Sequence, residues 1–270
     1  MKNNKIYIFI ILILSNFLCL KSFGLDQFNF NVTEIEIQEN GKLIKGLNRG
    51  VITTDTGVII EADQFEYQQS SNILNASGNV KVTDKIKDYK ISSEEITYFK
   101  NLEKIITNGD TNFLIKEKYD IESRDIFYSA KDKLISSDFK TKITDNNSNL
   151  YKLDKFNYKI DDEILKGENI VIVTNYNLPK SDKLYLSSAI IDLKKEKIIA
   201  KDTEVKIHKS IFNNNENDPR LKGLSSYSDR NTTIVNKGIF TSCKKTDDCP
   251  PWSIQAEKII HDKNKKLLNY

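Results

Sequence analysis

Apolar side chains recur at every second residue in short runs, pause at a polar cluster, and resume. Ala76, Gly78, Val80 and Val82 share one face, as do Phe113 with Ile115 and Val171 with Val173. A period of two puts alternate side chains on one face of a strand and argues against an amphipathic helix there. The runs come in copies. Ile60, Ile91, Ile121 and Tyr151 open successive blocks, 31, 30 and 30 residues apart. Two residues later stand Ala62, Ser93, Ser123 and Leu153; five later, Phe65, Ile96, Ile126 and Phe156; seven later, Tyr67, Tyr98, Tyr128 and Tyr158. A polar turn follows, and return strands begin at Leu74, Ile105, Ile135 and Leu165. Looser copies start at Leu186 and Ile254.

The step from the small residue to the next apolar one is three, not two. A bulge or corner absorbs the odd residue, so the spacing predicts a bend in every rung. The expected fold is all-β, a stack of antiparallel rungs of about 30 residues each, and such arrays bind along their length. The competing reading is a generic antiparallel sandwich with accidental spacing.

Composition adds a compartment and removes function classes. Lys2 and Lys5, the apolar run Ile6 to Leu20, and Ser22-Phe23-Gly24 predict an export signal over residues 1–24, cleaved after Gly24. The run is short for a stable membrane span, with an uncleaved anchor as the alternative to cleavage, and Asn16-Phe17-Leu18 ahead of Cys19 lacks the small pair of a lipoprotein site. Removing Lys2, Lys5 and Lys21 from 41 basic residues leaves 38, against 38 acidic ones. That balance argues against a nucleic-acid binder, which needs a basic excess to displace phosphate counterions. Cys243 and Cys249 survive processing and are the disulfide candidates, either with each other or with partners on another segment. His208 and His261 sit beside neither cysteine, and the chain holds no P-loop, nucleophile elbow or HExxH. The expectation is no enzyme: no catalytic residue, no cofactor and no metal site.

Residues 25–50 read as an N-terminal lead-in and 51–270 as the β-domain, with repeats over 51–210, an insertion over 211–240 and a terminal rung over 241–270. Two segments of the last part are distinctive: Asn217-Asp218-Pro219-Arg220-Leu221-Lys222-Gly223, and Gly238 to Cys243 running through Cys249-Pro250-Pro251-Trp252 to Ile259-Ile260-His261-Asp262. With the repeats, they make residues 50–270 resemble the OstA-type periplasmic β-jellyroll of the lipopolysaccharide-transport proteins, and within it the outer-membrane LPS-assembly protein LptD. The resemblance implies an OstA/LptA-like open β-jellyroll in the periplasm or at the cell outer membrane. It also implies a cysteine matching Cys243 that bonds to one in a following barrel, and a lipoprotein plug lodged in that barrel. The sequence ends at Tyr270 in mid-rung, so the expectation divides between a piece of such a protein, a stand-alone soluble bridge component, and a structural β-repeat protein that binds no lipid.

The implied ligand is lipopolysaccharide, whose acyl chains cost about 0.8 kcal/mol per exposed methylene. Ile60, Phe65, Ile91, Ile96, Ile121, Ile126 and Phe156 are the lipid-groove candidates if the two sheets splay apart; packed together, they form an ordinary core. Unpaired edge strands would accept a neighbouring periplasmic jellyroll by augmentation, near Val51 to Ile60.

Overall fold

Alternating residues close into ladders wherever a turn brings two runs side by side. The computed structural model describes residues 28–209, 217–244, 252–265 and 267–270; the signal segment 1–24 and Cys249-Pro250-Pro251 lie outside them. In chain order the strands are β1 (Asn29–Gln38), β2 (Leu43–Thr53), β3 (Val58–Ala62), β4 (Gln64–Gln68), β5 (Ile73–Asp84), β6 (Tyr89–Phe99) and β7 (Lys104–Ile115). Next come β8 (Tyr119–Arg124), β9 (Phe127–Ser129), β10 (Leu134–Ser137), β11 (Thr141–Asp145), β12 (Leu150–Leu153), β13 (Lys155–Lys159) and β14 (Ile164–Val173). The last are β15 (Lys183–Asp192), β16 (Lys197–Lys206), β17 (Arg220–Ser228), β18 (Thr232–Thr241), β19 (Ile254–Asp262) and β20 (Leu267–Asn269). Every pairing is antiparallel, and the chain is all-β.

The bend predicted in every rung is a corner. β3 and β4 are halves of one bent strand divided by Asp63; Asp154 divides β12 from β13, and Asp125-Ile126 divides β8 from β9. Unbroken strands turn at the same level through left-handed backbone, at Gly78 (φ 77°) and Asn79 in β5, Gly109 (φ 85°) in β7 and Asn169 in β14. Asp63 pins its part of the corner, accepting hydrogen bonds from Asn79 (2.7 Å) and Arg49 (2.8 Å). The bond from Asn79, then that from Arg49, holds its carboxyl below the usual range. Because three successive strands are split while β7 and β14 are not, pairing runs round a closed circuit of eight, β7-β8-β11-β12-β14-β13-β10-β9, with the other strands outside it.

The corner divides each rung into two halves that face one another. Half-sheet I carries the row Ile60, Val82, Ile91, Phe113, Ile121, Ile143, Tyr151 and Ile172, each a cross-strand partner of the next. Half-sheet II carries Tyr67, Leu74, Tyr98, Ile105, Tyr128, Ile135, Tyr158 and Leu165 in the same relation. Aromatic against aliphatic across a ladder adds about 0.2–1 kcal/mol per pair. The inward faces form one core from Phe28 to Ala200 and a second, smaller one of Leu221, Val235, Phe240 and Ile259.

Three expectations change. The stack begins at β1, within the supposed lead-in of 25–50, where Glu34 and Glu36 alternate with Ile35 and Ile37. Of the supposed insertion 211–240, residues 220–228 and 232–240 lie in ladder strands, β17 and β18. Their inward positions mix Leu221, Val235 and Phe240 with Ser226, Ser228 and Thr233, Ser226 hydrogen-bonded to Thr203 and Ser228 to Thr233, so the hydroxyls interrupt the apolar alternation. Nor do the half-sheets splay over β2 to β14. They pack face to face there, whereas Leu184, Ile198, Val205, Ser228, Thr233 and His261 beyond are only half-buried.

Candidate functional site

The seven groove candidates lie together in this interior. Ile60, Ile91 and Ile121 stand in the row on half-sheet I; Phe65, Ile96, Ile126 and Phe156 face them from half-sheet II, and all seven are at most 3% exposed. Rows the sequence reading missed complete the enclosure. Tyr89 packs edge-on to Tyr128 at 4.7 Å and against Phe113 at 5.7 Å, and Tyr119 meets Tyr158 at 5.6 Å. A signal for them existed: Tyr89 and Tyr119 sit two residues ahead of Ile91 and Ile121.

Where the backbone turns the corner, hydroxyls replace hydrocarbon. Ser93 contacts Thr111 (3.1 Å), Thr111 donates to Thr107 (2.7 Å), and the Ile126 amide donates to Thr107 (2.8 Å). Ser123 bonds both Ser137 (3.1 Å) and Thr141 (2.8 Å). These groups satisfy polar backbone that a bent ladder cannot pair with itself, and so keep burial affordable.

Opposite the corner lies a mouth where hairpins of the two half-sheets meet. Charged side chains bridge it: Lys100 to Asp55 at 3.0 Å, Lys87 to Glu103 at 2.6 Å and Lys118 to Glu163 at 2.6 Å. The Tyr119 hydroxyl also donates to Glu163 (2.9 Å), and Lys116 reaches the Ile160 carbonyl (3.4 Å). Burial pushes the Glu163 carboxyl up, but hydrogen bonds from Lys118 and Tyr119 and the charges of Lys118 and Lys116 outweigh it, leaving it below its ordinary range. Burial raises the phenols below the mouth, Tyr98 to about 12 and Tyr89, Tyr119, Tyr128, Tyr151 and Tyr158 beyond that.

The candidates line neither of two surface depressions found among the described residues. The larger, about 1250 Å³, lies outside half-sheet I beside the corner, among outward-facing Lys81, Ser92, Asn112, Glu122, Lys142 and Lys152. Its charges are partly self-paired, as Lys142 with Glu122 at 2.8 Å.

The distinctive C-terminal segments are knitted together. Arg220 donates to the carbonyls of Asp218 (3.0 Å) and Cys243 (2.6 Å), and the Asp218 amide to that of Ser242 (2.9 Å). Thr241 donates to the Trp252 carbonyl at 2.8 Å, and the buried Cys243 thiol lies 3.6 Å from the same oxygen. Its disulfide candidate Cys249 lies outside the described residues. No protein-family model and no curated protein matches the chain.

Proposed function

We propose that this chain is a periplasmic lipopolysaccharide-binding and transfer domain of the outer-membrane assembly type. It shelters acyl chains between its half-sheets and passes them towards the outer membrane. The observation that supports this reading is the row of apolar partners running unbroken from Ile60 to Ile172 and faced by a second row. A dozen sheltered methylenes are worth about 10 kcal/mol, enough to repay a rearrangement of side-chain contacts. Both ends support hand-over. At one, β1 has an edge unpaired among the described residues, with Ile35 48% and Ile37 68% exposed; at the other, hydroxyls enter the lining.

Photoreactive phenylalanine at Phe113 or Phe156 tests the reading, with outward Lys81 and Glu122 as controls. Labelled lipopolysaccharide is expected on the inward pair and not on the controls. Equal capture at all four, or none at Phe113 and Phe156 in a folded protein, overturns it. The second reading, a structural β-repeat that binds no lipid, draws on the tight packing over β2 to β14, and the same experiment decides between them.

A further inference from the structure

An interior closed on both sides needs a place to part, and the two sides are built differently. At the corner every rung continues covalently, and Asp63, Asp125 and the buried hydroxyls tie successive rungs to one another. At the mouth, among the described residues, no strand pairing crosses from one half-sheet to the other. The links there are ion pairs and hydrogen bonds of single side chains, those of Tyr119, Lys116 and Tyr98 (to Thr56) among them, above ring contacts.

Those ion pairs are an expensive way to hold a seam. The Lys100 side chain is 6% exposed and that of Glu163 14%, so each bears a desolvation cost, while their partners Asp55 (44%) and Lys118 (37%) stay screened by water and return little of it. Beneath them the Asp84 Oδ2 and the Tyr158 hydroxyl are buried with no hydrogen-bond partner among the described residues. Closure leaves both unsatisfied, and parting the mouth would hydrate them. Apolar residues would seal this border better; charged ones suit a border that exchanges partners.

The exchange has a direction. An amphiphile entering tails-first between the tyrosine rows leaves its headgroup at this border, among Lys87, Lys100, Lys116 and Lys118. A phosphate offers these ammonium groups more charge and more acceptor oxygens than the carboxylates they now hold. Lys87 and Lys118 lie on successive hairpins of half-sheet I, two strands or about 10 Å apart. Resting on the lipid-binding reading above, we propose that the mouth is a lateral port whose lysines form a headgroup site. Lys100, Lys87 and Lys118 are held by Asp55, Glu103 and Glu163 when the site is empty, Lys116 by the Ile160 carbonyl, and all take the phosphates of an anionic amphiphile when it is filled.

Capture at Phe156 provides the test, with two probes: labelled lipopolysaccharide, and a monoacylglycerol with no charged headgroup. Lys87→Gln with Lys118→Gln is expected to weaken lipopolysaccharide capture about tenfold and to leave the monoacylglycerol within about twofold; Lys→Arg at both sites restores it. Glu103→Gln with Glu163→Gln is expected to speed uptake of both probes about threefold or more. Circular-dichroism melting confirms that each variant is folded. If folded variants capture both probes as the parent does, the port is wrong and the lipid-binding reading stands. If the parent captures neither, the underlying reading fails and the port with it.

Discussion

Phe113 and Gly78 show how much a single position carries, one through volume and the other through backbone. Phe113 is fully buried between Ile91 and Ile121, its ring 5.4 Å from Tyr128 and 5.7 Å from Tyr89. Phe113→Ala removes contacts on both half-sheets at once, and is expected to cost about 3–5 kcal/mol in urea unfolding. Gly78 has φ 77°, and a Cβ there would lie 2.7 Å from Asp63 Oδ2. Gly109 has φ 85° with nothing within 4 Å of the added carbon. Both alanine variants bear the left-handed backbone cost of about 1 kcal/mol. Only Gly78→Ala also displaces the carboxylate that joins Arg49 to Asn79, so it is expected to lose about 1 kcal/mol more than Gly109→Ala. Equal losses would remove Asp63 from its role at the corner.

Individual strands are stabilised by what faces them, and the tyrosine rows give that a pH signature. Tyr98 is pushed up to about 12 by burial, despite its hydrogen bond with Thr56, and its neighbours on both half-sheets go further. An unfolded phenol ionises near 10, so the fold favours the neutral form. The stability this contributes is present below pH 10 and drains away as pH rises towards the folded values. In an alkaline titration these phenols are expected to ionise together with the loss of β-sheet signal. Ionisation near pH 10 with the sheet intact would contradict the enclosed rows. The four tyrosines in register, and the corner at Asp63 behind the three-residue step from Ala62 to Phe65, were legible because both are properties of one strand. Which rows meet across the interior was not, since Tyr89 finds Tyr128 only after intervening hairpins have formed. β17 and β18 escaped notice for a different reason: Ser226 is buried against Thr203 and Ser228 meets Thr233 half-buried, and paired hydroxyls look like surface in a sequence.

At the scale of the whole molecule, the ends decide what the stack can join. Ile37 continues the inward row through Ile44 to Tyr67, and Ile35 continues another through Gly46 to Phe65, yet both are exposed because no described strand lies on the far side of β1. A long edge strand with an apolar inward face pairs with any compatible strand unless charge or shape prevents it. In the proposed transfer role it is where a bridging jellyroll adds its own edge, so that two interiors run on as one channel. Ile35→Lys with Ile37→Lys puts charge on that face while touching little of the core, so the thermal midpoint is expected to stay nearly unchanged. Sedimentation of the full chain with a periplasmic bridge jellyroll should then show association with the parent and none with the double variant. Equal association of parent and variant would move the contact away from β1. Unchanged lipid capture at Phe156 in the variant would separate the joining of two proteins from the holding of a lipid by one.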